Sequence, residues 1–62
     1  MSNWVQYEVW SEDGEHQELV LTTASQKQAL VAAEKEHKET SAIVTVYRET
    51  SDGDYEIIKE FS

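Results

Sequence analysis

Two Asp-Gly dipeptides, Asp13-Gly14 and Asp52-Gly53, punctuate this chain and supply its only glycines; proline is absent. Each sits between runs rich in β-branched and aromatic residues, the pattern of a β-hairpin. Trp4-Val5-Gln6-Tyr7-Glu8-Val9-Trp10 precedes the first turn, and residues 16–23, with Leu19-Val20-Leu21-Thr22-Thr23, follow it. Residues 42–49, Ala-Ile-Val-Thr-Val-Tyr-Arg-Glu, precede the second, and residues 54–61 follow it. A three-residue loop at each turn is expected. In the first hairpin, with Gly14 left-handed, it pairs Tyr7 with Leu19 and Val5 with Leu21. In the second it pairs Tyr47 with Ile57 and Ile43 with Phe61, with Arg48 opposite Glu56. Register follows the better match of apolar residues.

Between the hairpins the period changes. Ser25 is a good N-cap, and Gln28 stands three residues on, where a capping box wants it. Residues 26–38 are mostly strong helix formers. At 100° per residue, Gln26, Ala29, Leu30, Ala33 and His37 share one side, while Lys27, Val31, Lys35 and Lys38 lie opposite or at its margins. The inner face is mostly alanine, so the helix can lie close to a sheet but buries little area per turn. The element order resembles the β-grasp of bacterial immunoglobulin-binding domains; an all-antiparallel sheet of two adjacent hairpins fits it equally. The expected fold is α+β, β-β-α-β-β: a single small domain over residues 1–62, with a four-stranded antiparallel or mixed sheet and one helix on one face.

Sixty-two residues bury only about 60% of their unfolded surface. One helix covers one face of such a sheet, yet every strand offers apolar groups to both. Val5, Tyr7, Leu19 and Leu21 are expected on one side of the first hairpin, with Trp4, Trp10 and Val20 on the other. The second divides as Ile43, Tyr47, Tyr55, Ile57 and Phe61 against Val44, Val46 and Ile58. The uncovered face would expose a large apolar patch, which monomers rarely tolerate. Trp4, Trp10, Tyr47 and Ile58 are therefore candidate partner-binding residues. The expected function is a non-catalytic interaction module that binds a protein through the open sheet face or an edge strand, and a second copy forming a homodimer is the simplest partner.

Charge is just as uneven. Thirteen acids oppose five bases, for a net charge of -8. Residues 1–24 carry -5, residues 25–39 are neutral, and residues 40–62 carry -3. Glu12, Asp13 and Glu15 cluster at the first turn; Asp52, Asp54 and Glu56 cluster at the second. Acids this dense protect sheet edges and promote solubility. They also steer toward basic partners. Alternate strand residues stand about 6.6 Å apart, close enough to the phosphate repeat for the hairpins to mimic DNA. The alternative function is thus an acidic inhibitor of the phage or plasmid type, occupying the groove of a basic nucleic-acid-binding protein. Direct binding to nucleic acid or to an anionic membrane is disfavoured by like charge.

The residue inventory argues against catalysis. There is no cysteine, which excludes a thiol nucleophile, a disulfide framework and a Cys-type zinc module. No phosphate-binding glycine loop and no nucleophile elbow is present. Asp52, Asp54 and Glu56 alternate but lack the remaining ligands of a calcium loop. Glu34 and His37, at i and i+3, form at most a surface pair. No metal, cofactor or catalytic residue is expected. The chain shows no apolar span and no leader pattern, so the expected location is cytoplasmic.

Overall fold

The computed structural model describes residues 3–62. Strands β1 (Val5–Asp13) and β2 (His16–Thr23), helix α1 (Gln26–Thr40), and strands β3 (Ile43–Thr50) and β4 (Tyr55–Phe61) follow in the expected order. All strand pairs are antiparallel, in the order β2-β1-β3-β4. Two adjacent hairpins joined through β1 and β3 is therefore the arrangement, rather than a β-grasp, in which the first and last strands would be neighbours. No helix among the described residues is long and apolar enough to cross a membrane.

The helix begins on side-chain contacts and ends on a backbone one. The Ser25 hydroxyl accepts the Gln28 N–H at 3.2 Å. Gln28 does not return the favour to Ser25, as a capping box would. Thr23 Oγ1 instead accepts the Ser25 N–H at 3.1 Å and donates to Gln28 Oε1 at 3.0 Å. At the other end Ser41 is left-handed, with φ 62°, and its N–H reaches the His37 carbonyl at 2.8 Å. A Cβ in that region is disfavoured, and glycine is the usual solution. Ser41→Gly should therefore stabilise the fold by about 0.5–1 kcal/mol, read as a higher urea midpoint with an unchanged slope; a lower midpoint would contradict this account of the cap.

The inner helix face is the expected one. Ala29 and Ala33 are fully buried against Val9, Val44 and Val46, with Tyr7, Leu21, Leu30, Ile58 and Phe61 packed around them. Gln26 Oε1 accepts from the Tyr7 hydroxyl at 3.2 Å. His37 Nδ1 lies 2.7 Å from the Ala42 carbonyl, and its ring stands 6.3 Å from that of Phe61. Glu34 does not join His37; it pairs with Lys38 at 3.0 Å.

The second turn is as expected: the Gly53 N–H bonds the Thr50 carbonyl, the Thr50 N–H bonds the Asp54 carbonyl, and Gly53 has φ 89°. Tyr47 opposes Ile57 and Arg48 opposes Glu56. The first turn differs. Asp13 pairs with His16, leaving a two-residue loop, Gly14-Glu15, with φ 65° at Gly14. That suits the hairpin turn class with glycine in first position. Together with a bulge further along the pair, this turn sets Tyr7 opposite Thr23 and Leu21 opposite Val9, so the expected pairings of Tyr7 with Leu19 and Val5 with Leu21 are wrong.

Both outer strands carry a bulge. Register shifts between Val9 and Trp10 against β2, and between Val46 and Tyr47 against β4, leaving Val20 and Ile58 as the extra residues. A bulge reverses the facing of everything beyond it. In β2 it turns Leu21, rather than Thr22, toward the helix, and Leu19 pairs with Trp10 on the other face. Val20 lies beside Leu21, Ala32 and Glu36 on the helix side. In β4 the bulge turns Phe61 inward, opposite Val44 and not Ile43. The expected placements of Leu19, Val20 and Phe61 are thus each reversed.

Candidate interaction face

Sheet register determines what lies on the side away from the helix. Gln6, Glu8, Trp10 and Glu12 alternate along β1. Opposite them on β3 stand Glu49, Tyr47, Thr45 and Ile43. Tyr55, Ile57 and Glu60 extend the face on β4, and Thr22, Leu19 and Gln17 extend it on β2. Among the described residues no element covers this side. Ile57 is 59% exposed, Tyr55 56% and Leu19 44%, whereas Val9, Val44 and Val46 behind them are sealed completely. Ile43 is also exposed on this side, while Trp10 and Tyr47 are half-buried.

The four candidate partner-binding residues separate. Trp10 and Tyr47 line one cleft of about 280 Å³, together with Glu8, Glu12, Gln17, Thr45 and Tyr55. Trp4 is 46% exposed but lies by the second turn, its N–H on Ser51 Oγ and its carbonyl accepting from the Ser51 N–H. Six strand residues put it about 20 Å from Trp10. Ile58 is the bulged residue packed against the core, so it does not belong to the open face. Tyr55, Ile57 and Glu8 belong instead. Alternation with Tyr47 already marks Tyr55 and Ile57 in the sequence, and Glu8 stands between Tyr7 and Val9.

Polar contacts hold the cleft in shape. The Trp10 indole N–H donates to Glu8 Oε1 at 2.9 Å, and Gln6 Nε2 donates to Glu49 Oε1 at 2.7 Å. The Tyr47 and Tyr55 rings meet edge to face, 6.2 Å between centroids. The neighbouring Glu49 carboxylate, then desolvation, then the Glu8 carboxylate push the Tyr55 phenol up to about 12. The neutral phenol is the form the fold favours. Its contribution to stability is complete below pH 10 and is lost as pH rises from 10 through about 12. Glu49→Gln should bring the Tyr55 titration, followed by phenolate absorbance, back toward 10; an unmoved titration would contradict the contact.

Charge divides between the two sides. Lys27, Lys35 and Lys38 belong to the helix. Arg48 pairs with Tyr7 and approaches Glu56 at 3.9 Å on the helix side, and Lys59, opposite Val46, sits 5.5 Å over the Phe61 ring. All five bases therefore lie on the helix side of the sheet. The open face bears Glu8, Glu12, Glu49 and Glu60 with no base among them.

The six acids of the expected acidic surface divide between the two ends of the sheet. Glu12, Asp13 and Glu15 lie at one end of β1, and Asp52 and Asp54 lie at the other, because β1 and β3 run antiparallel. Nine strand residues separate the ends by about 30 Å. Glu56 faces the helix side, beside Arg48. Among the described residues no three His, Asp or Glu side chains converge as metal ligands would. Comparison with protein-family models, with curated proteins and with solved structures finds no match to this chain.

Proposed function

We propose that this protein is a non-catalytic interaction module that docks a basic protein on its open sheet face. One observation carries the reading: an uncovered surface on which large apolar side chains are interleaved with carboxylates and lack any base. Apolar area supplies the drive to associate, and unpaired negative charge selects the partner. The same charge argues against a homodimer through this face, since it would stack Glu8, Glu12, Glu49 and Glu60 of one copy on those of another. Pairing through the β2 or β4 edge is opposed by the bulge in each strand.

The DNA-mimic reading has one point in its favour, acids at both ends of a molecule 40 Å long. Glu8, Glu12, Asp13, Glu15, Glu49, Asp52, Asp54 and Glu60 give about one charge per 5 Å of that length, against about one per 1.7 Å in duplex DNA. Aromatic rings also occupy the middle of the face, where a mimic would carry more acids.

Sedimentation at two concentrations and affinity capture at two salt concentrations test the assignment. The expected result is a monomer that retains a basic protein at low salt, releases it at high salt, and re-forms a 1:1 complex with it when both are pure. If duplex DNA competes for that protein, the mimic reading replaces docking of a peptide-like surface. A concentration-dependent dimer that occludes Trp10 would contradict both.

A further inference from the structure

We propose that the cleft between Trp10, Tyr47 and Tyr55 receives the guanidinium group of an arginine side chain from the partner. The inference deepens the reading of the open face as a docking surface for a basic protein, and rests on it. At about 280 Å³ the cleft is the size of one side chain, just under the range that holds a drug-sized molecule.

Three aromatic rings line it, so a cation entering meets π-electron density. Glu8 and Glu12 stand at its rim, and no lysine or arginine of this chain lies on that face to neutralise them. Glu8 is already oriented: Oε1 takes the Trp10 indole N–H at 2.9 Å, and the carboxylate keeps further lone pairs that can accept from a ligand. The Tyr47 and Tyr55 rings, held edge to face at 81°, present differently directed walls.

A planar guanidinium suits this combination. It can stack its face on a ring while its in-plane N–H groups reach the carboxylates. A lysine ammonium is compact and strongly hydrated, and gains less from the rings. A quaternary ammonium has no N–H to give Glu8 or Glu12. An apolar anchor would leave both carboxylates desolvated and unpaired.

The test uses the full chain, isotope-labelled for NMR, titrated with hexa-arginine and with hexalysine amides of equal charge. Hexa-arginine should bind about fivefold more tightly or better, moving the Trp10 indole N–H signal and the Tyr47 and Tyr55 ring signals. Trp10→Leu and, separately, Glu8→Gln should each collapse that preference to less than about twofold; the second variant keeps the test valid if the first misfolds. Equal binding of the two peptides at the open face, or an arginine preference that survives both substitutions, overturns the arginine site and leaves the docking face standing. If neither peptide shifts open-face signals, the docking reading falls with it.

Discussion

Val46→Ala is expected to cost about 2–3 kcal/mol, a large part of the few kcal/mol available to a core this small. Val46 is fully buried at the centre of the sheet, in a cluster with Val9, Val44, Ala29 and Ala33. The alanines opposite cannot move inward to fill the space, because their side chains end at Cβ. The melting temperature should fall by about 10–20 °C, since each kcal/mol is worth about 4–8 °C in a domain of this size. The paired control is Ile57→Ala. It removes more hydrocarbon, but from a side chain that is 59% exposed on the other face, and its expected cost is below about 0.5 kcal/mol. Similar losses at the two positions, by urea denaturation, would refute one-sided burial.

Reversing charge on the open face should have the second large effect. Glu8→Lys with Glu49→Lys places two cations beside Trp10 and Tyr55, where the partner's own cations are to sit. Affinity for the captured basic protein should fall at least about tenfold, because like charges now meet in a partly dehydrated contact. Glu34→Lys with Glu39→Lys changes net charge by the same amount on exposed helix positions. At physiological salt the screening length is about 8 Å, so charges on the far side of the sheet contribute little and the control should lose less than about threefold. Titration calorimetry of the two double variants settles the comparison. Equal losses would mean that only total charge matters, and the face would have no special role.

The chain announces part of this architecture. Asp-Gly turns, β-branched runs and the Ser25 cap specify the element order. The spacing of Ala29, Leu30, Ala33 and His37 specifies the face that α1 buries. The second hairpin is legible up to Ile57 because Ser51-Asp52-Gly53 has one good solution with glycine left-handed. The first turn is ambiguous: in Glu12-Asp13-Gly14-Glu15, glycine can close either a three-residue loop or, as it does, open a two-residue one. The bulges hide for a related reason. They occur within Leu19-Val20-Leu21 and Ile57-Ile58, where consecutive apolar residues erase the alternation that would report which way each side chain points. Packing decides there, because a bulge gives the core Leu21 and Phe61 and leaves Thr22 and Glu60 outside. The candidate site suffers accordingly. Trp10 and Tyr47 meet in the cleft because each lies on a strand with unbroken register to its neighbour, β1 on β3. Ile58 is misplaced because it is the bulge itself. The gathering of all five bases on the helix side depends on the same parity and becomes visible only when Lys59 is seen opposite Val46.

Cross-saturation NMR on the complex with the purified basic partner examines the open face most directly. Signal loss should concentrate on the Trp10 indole and on Tyr47, Tyr55, Ile57 and Leu19, and spare Val31 and Lys35 on the outer helix. Loss confined to the helix surface, or to the backbone of the β2 or β4 edge, would contradict the assignment of that face as the place where this protein meets its partner.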